Sequence, residues 1–161
     1  PADIGVVSIE EVEPRFHARL WAVRKRYVYR IWNSALPDVF GRRFSVPVLE
    51  KLDVEAMREA AGYLCGKHDY RAFCSLKRYK KSTIRTVEEI LIQKDKDRIE
   101  ISYLGDGFLY HMVRILTGTL LEIGTGKRDA SKLPVVIAAE DRSLAGFLAP
   151  ARGLFLRKVY Y

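Results

Sequence analysis

Gly105-Asp106-Gly107-Phe108-Leu109-Tyr110-His111-Met112-Val113-Arg114 is the stretch on which the fold turns. It joins a strand to a helix through glycines and carries one arginine to a place where a buried charge partner could meet it. Upstream, Thr83 to Gln93 and Arg98 to Leu104 read as two strands flanking the charged turn Lys94-Asp95-Lys96-Asp97, which predicts a β-hairpin. Downstream, Leu109, Met112, Val113, Leu116, Leu120 and Ile123 recur at helical spacing and predict a helix over Phe108 to Ile123, ended by Gly124 to Gly126. Arg114 falls off that apolar stripe, beside Tyr110 and Gly118. Taken alone, it reads as an ordinary surface arginine of a helix.

Working outward, Val6 to Val12 reads as a strand, and after the Pro14 break a second, long strand is expected from Phe16 to Trp32, paired with the first. Pro37, Gly41 and Pro47 mark a connecting loop from Asn33 to Leu49. Asp53 is a good N-cap for a helix whose face carries Val54, Met57, Ala61, Leu64 and Cys65, with Gly66 ending it. A shorter helix is expected over Leu133 to Glu140 and a closing strand over Gly153 to Tyr161. Hairpins mixed with helices in the order β-β-α-β-β-α-α-β predict an α+β domain, a mostly antiparallel sheet with helices packed on one face.

The chain has 161 residues, 48% of them apolar and 11% aromatic, which is enough material for one well-buried domain. Lys and Arg number 28 against 20 Asp and Glu, a net charge of +8 that favours a polyanionic partner. No run of about 18 apolar residues suits a membrane span, and no signal peptide is visible, so no membrane partner is expected. Cys65 and Cys74 are too few for a disulfide framework, and a reducing cytoplasm is the expected compartment. Cys65, His68 and Cys74 lack a recognised zinc spacing, so no metal is expected.

Between Pro14 and Pro37 the basic residues Arg15, Arg19, Arg24, Lys25, Arg26 and Arg30 meet no acid, and Phe16, His17, Trp21, Tyr27 and Tyr29 are interleaved with them. Cations that neutralise phosphates and rings that stack on bases suit looped RNA, while an amphipathic strand with a solvated basic face explains the same pattern. A second basic run, Lys77-Arg78-Tyr79-Lys80-Lys81 followed by Arg85, suits contact with a phosphate backbone or a solvated loop. His17, His68 and His111 form no hydrolase motif with a serine or cysteine, and no Gly-rich phosphate loop is present.

Four ordered motifs add a resemblance: Phe16-His17-Ala18-Arg19, Lys25-Arg26-Tyr27-Val28-Tyr29, Gly107 to Arg114, and Ala149-Pro150-Ala151-Arg152-Gly153-Leu154. With Asp69 to Phe73 and Lys81-Ser82-Thr83 plus Arg85, they make the chain from Ile4 to Tyr161 resemble the bacterial tRNA pseudouridine synthase A family. That resemblance implies isomerisation of uridine in the tRNA anticodon stem-loop without metal or organic cofactor, in an enzyme that is generally a homodimer. It implies that Tyr27 stacks on the target base and takes part in removing its proton, and that Arg114 pairs with a catalytic aspartate. Phe108 and Leu109 are then expected to wall the substrate site, with His111 beside them, although core packing explains the first two equally well. His17, Arg19, Arg24, Lys25, Arg26, Lys81 and Arg85 match positions expected to contact RNA.

The family's catalytic aspartate lies in an Arg-Thr-Asp-Ala-Gly motif, and these 161 residues contain none. Leu148, where threonine is common in the family, is a minor departure. The resemblance therefore implies the C-terminal half of a two-domain synthase, with the N-terminal domain and its aspartate absent and the chain inactive by itself. A stand-alone RNA-binding module and a self-associating assembly domain are the competing readings.

Overall fold

The computed structural model describes residues 1–76 and 82–161. Among them the order is β1 (Arg24–Trp32), β2 (Val46–Pro47), α1 (Val54–Tyr63), β3 (Gly66–Asp69), β4 (Ile84–Asp95), β5 (Arg98–Gly105), α2 (Met112–Gly124), α3 (Leu133–Ala139) and β6 (Leu154–Tyr160). Strict alternation builds the centre of the sheet. In β5, Ile99, Ile101 and Tyr103 are buried, while Glu100, Ser102 and Leu104 lie on the other, less buried face.

The sheet runs β2-β1-β5-β4-β3, and β6 joins the outer edge of β1 along Arg24 to Tyr29, just before β2 pairs with Ile31 and Trp32. Among the described residues only the short β1–β2 pairing is parallel. Tyr29, Ile31, Ile92, Ile99, Ile101 and Tyr103 of the sheet share one core with Met57 and Leu64 of the α1 region, Met112, Leu116 and Leu120 of α2, and Leu133 of α3. Burying such side chains is the main favourable term, roughly 1.5–3 kcal/mol each before ordering costs. The α+β reading therefore holds, as does the mostly antiparallel sheet with its helices packed on one face.

Asp53 caps α1 as expected, its Oδ1 accepting the Ala56 N–H at 3.0 Å. The hairpin is also where it was expected, and its turn is tighter: β4 continues to Asp95, leaving Lys96 and Asp97 to reverse the chain with Lys96 at φ 51°.

Three expectations are corrected. Val6 to Val12 forms no strand, and Val7 is 99% exposed. The expected long strand starts only at Arg24, because Phe16 to Val23 is folded into turns. There the His17 carbonyl accepts the Leu20 and Trp21 N–H groups, and His17 Nδ1 accepts those of Arg19 and Leu20. Val6 to Val12 is rich in β-branched residues and Phe16 to Val23 in aromatic and other apolar ones, but a strand needs a neighbour's ladder, and β1 already has both edges filled by β5, β6 and β2. Gly66, at φ 113°, turns the chain into β3, a strand absent from the sequence reading.

The stretch from Gly105 to Arg114 also departs from expectation. The second long helix begins at Met112, four residues later than expected, because His111 adopts the left-handed conformation at φ 64° and no right-handed helix can run through it. Phe108 to His111 is instead a turn laid across the end of the sheet, closed by the Met112 N–H donating to the Leu109 carbonyl at 3.1 Å.

Candidate active site

The site grows from the end of the sheet at which β4 and β6 both slip register. The β1–β6 pairing shifts between Arg26 and Tyr27, and the β4–β5 pairing between Val87 and Glu89. Bulges of this kind bend a strand and re-aim its side chains. Beside them, Gly105 closes β5 where a Cβ would lie 2.6 Å from the Thr86 carbonyl oxygen, so the chain passes only as glycine. Asp106 locks the turn, its N–H donating to the Thr86 carbonyl at 3.1 Å and its Oδ1 accepting the Thr86 N–H at 3.0 Å.

This turn carries Phe108 onto Tyr27, edge to face, with ring centroids 5.3 Å apart. Tyr27 is half-buried, and burial raises its phenol pKa above the ordinary value, so the hydroxyl stays protonated at neutral pH. Leu109 is buried in the shared core. Arg85 reaches the same rim: its side chain runs beside Gly107 and donates to the Ser82 and Ile84 carbonyls.

His111 stacks on Tyr110 with centroids 3.8 Å apart, and its Nδ1 is shielded without a hydrogen-bond partner. Burial, then the neighbouring Arg114 cation, lowers its pKa, which keeps the ring neutral. Arg114 is half-buried on the first turn of α2. Its Nε donates to the Ala149 carbonyl at 2.6 Å, and the Ala149 N–H returns a bond to the Arg114 carbonyl at 3.2 Å. No carboxylate among the described residues lies within ion-pair distance of Arg114. Tyr29, two residues along β1 from Tyr27 and on the same strand face, donates its hydroxyl to the Pro150 carbonyl at 2.7 Å, next to the Ala149 carbonyl that Arg114 holds.

The expected RNA-contacting residues do not gather in one place. His17 and Arg19 belong to an exposed turn before β1. Arg24 faces Glu88 at 3.5 Å, and Arg26 binds Glu89 at 2.8 Å and the Ser102 hydroxyl at 2.8 Å. Lys25, between them, has no ion-pair partner among the described residues. Lys81, with the run from Lys77, lies outside the described residues.

Sequence reasoning missed Tyr29 and the Ala149-Pro150 peptide as parts of this site. The signal was available in part, since Tyr29 shares a strand face with Tyr27 by the two-residue period, and Ala149-Pro150 begins one of the ordered motifs. Chemically, the arrangement offers a guanidinium open to an incoming carboxylate, a neutral phenol, and an aromatic wall on which a base can stack. Among the described residues no cluster of three or more His, Cys, Asp or Glu could hold a metal ion. No described helix is long and apolar enough to cross a membrane.

Comparison with known proteins bears on the same segments. The profile of the family described as tRNA pseudouridine synthase matches residues 60–161, which include Arg114 and the Ala149-Pro150 peptide. The whole chain aligns with proteins named tRNA pseudouridine synthase A from Shouchella clausii at 47% identity, Brevibacillus brevis at 45% and Moorella thermoacetica at 46%. The alignments cover 100% of this chain but 62%, 66% and 65% of those relatives, so the chain spans just under two thirds of their length. With a profile match across most of its residues and relatives aligned along all of them, the chain belongs to the tRNA pseudouridine synthase family.

Proposed function

We propose that this chain forms the tRNA-binding, cleft-forming C-terminal part of a tRNA pseudouridine synthase that isomerises uridine in the anticodon stem-loop. The nucleophilic aspartate comes from polypeptide outside these 161 residues. It attacks the target uridine, the bond between ribose and base nitrogen breaks, and the base turns and rejoins the same ribose through carbon. Atoms and electrons are conserved, so the reaction draws on no cofactor. Arg114 holds the aspartate ionised and aimed, Tyr27 stacks on the displaced base and assists loss of the proton from the new attachment carbon, and Phe108, Leu109 and His111 wall the pocket. His17, Arg19, Arg24, Lys25, Arg26, Lys81 and Arg85 contact the tRNA backbone. The enzyme works in the cytoplasm as a homodimer, a reading supported by the apolar side chains that the 33–50 loop leaves exposed, including Phe40 at 97%.

The observation that carries this proposal is Arg114, a half-buried guanidinium fixed through Nε to Ala149 and without a carboxylate partner among the described residues. A structural arginine at such a place is ordinarily paired. The test is tritium release from carbon-5-labelled uridine in tRNA by a protein that joins this chain to an aspartate-bearing domain. Arg114→Ala is expected to lower turnover by about 100-fold or more while tRNA affinity changes by less than about threefold. Isomerisation by the 161-residue chain alone would overturn the separate nucleophile. Turnover unaffected by Arg114→Ala would leave the chain as an RNA-binding module.

A further inference from the structure

Arg114 can serve an aspartate only if its guanidinium is aimed before the carboxylate arrives, and a long side chain near a cleft does not aim itself. The Ala149-Pro150 peptide does this work, held from both sides. From the helix side, Arg114 Nε donates to the Ala149 carbonyl at 2.6 Å and the Ala149 N–H donates back to the Arg114 carbonyl at 3.2 Å. From the sheet side, the Tyr29 hydroxyl donates to the next carbonyl, that of Pro150, at 2.7 Å. The Nη1 and Nη2 nitrogens of Arg114 make no hydrogen bond to the described residues and are left for a partner.

The surroundings leave this peptide little freedom. Gly118 and Gly146 let the segment before it lie directly on α2: a Cβ on Gly118 would come 1.9 Å from the Phe147 carbonyl oxygen, and one on Gly146 would come 2.5 Å from the Thr119 backbone. On the far side, a Cβ on Gly153 would meet the Tyr29 ring at 2.9 Å. Tyr29 itself is fully buried at the centre of β1, so its hydroxyl has one rigid position. The Arg114 and Arg152 cations both act on that hydroxyl, whose pKa is nonetheless raised by burial, and the phenol remains a donor.

We propose that Tyr29 is a positioning residue for Arg114, acting through the Ala149-Pro150 peptide that both of them hold. The inference rests on the catalytic reading of Arg114. Tyr29 touches neither nucleotide nor aspartate; its hydroxyl sets the carbonyl track that orients the guanidinium. Pro150 precedes the 3-10 turn Ala151–Gly153, so its carbonyl also accepts from that turn, and removing the hydroxyl takes away the donor on the sheet side, loosening the peptide while keeping the ring in the core.

Two measurements test this. In the 161-residue chain, hydrogen exchange of the Arg114 Nε–H is followed by NMR in Tyr29→Phe and in Tyr70→Phe. Tyr70 is an equally buried phenol whose hydroxyl serves the Leu64 and Gly66 carbonyls at 2.9 and 3.0 Å, away from Ala149. Tyr29→Phe is expected to speed exchange by about tenfold or more, and Tyr70→Phe to leave it within about twofold. Unchanged exchange in Tyr29→Phe, or equal acceleration in both variants, overturns the proposal. In the protein joined to an aspartate-bearing domain, Tyr29→Phe is expected to lower kcat about tenfold with KM within about twofold, and a raised KM with unchanged kcat overturns it. Failure of the isomerase reading would show separately, as absent turnover in the unmutated protein, and the exchange measurement would still decide whether Tyr29 orients Arg114.

Discussion

His111 shows how much a single backbone angle decides. At φ 64° it ends the turn that brings Phe108 to Tyr27 and starts α2, so Arg114 comes one turn of helix closer to the N-terminus than periodicity alone places it. Its ring is held neutral by burial and by the Arg114 cation, and its shielded Nδ1 has no acceptor for a second proton. The folded pKa therefore lies below the ordinary 6.5. As pH falls, the unfolded chain takes up this proton first, so the contribution of His111 to stability is fully present above 6.5 and is lost as pH drops through the lower folded value. Urea unfolding at about pH 7.5 and about pH 5.5 is expected to show a smaller loss of stability in His111→Gln than in the unmutated chain. Equal losses would contradict this account of the ring.

The elements divide by how local their causes are. The β4–β5 hairpin and α1 were legible because their signals are local: alternation with a charged turn in one, an N-cap and an apolar face in the other. Lys96 is the weak point of that hairpin, since a lysine in the left-handed region bears a steric cost that glycine avoids. Lys96→Gly is expected to stabilise the fold by about 0.5 to 1 kcal/mol in urea unfolding, and a destabilisation would show that the Lys96 side chain matters more than its backbone. The segment from Phe16 to Val23 failed the same kind of reading. Its rings pack on the end of the chain, Phe16 lying 5.0 Å from Tyr161 and 5.7 Å from Trp21 between centroids, an arrangement that no local pattern announces.

For the molecule as a whole, the charge of +8 is less available than its size suggests. On the face of the sheet away from the helices, Arg26 is held by Glu89 and Arg30 by Glu100, and Arg24 faces Glu88 nearby. These solvent-accessible pairs add little to stability, roughly 0.2–1 kcal/mol each, but each carboxylate competes with a phosphate for its arginine. Affinity for tRNA is expected to fall steeply with salt, and Lys25→Ala to reduce the slope of log affinity against log salt by about one. Arg24→Ala and Arg26→Ala are expected to reduce it by less. Equal reductions at all three positions would mean that RNA displaces the acids at no net cost.

Sequence by itself determined the class of fold, the family, the hairpin and the helix stripes, because these depend on periodicity, turn chemistry and ordered motifs, all of them written along the chain. Tertiary structure alone decided which apolar segments became strands, since a ladder needs a neighbour and β1 had room only for β5, β6 and β2. It also decided that Arg24, Arg26 and Arg30 face carboxylates while Arg114 meets none among the described residues. The link between Tyr29 and Arg114 through Ala149-Pro150 joins residues 85 positions apart along the chain, and only packing makes them neighbours.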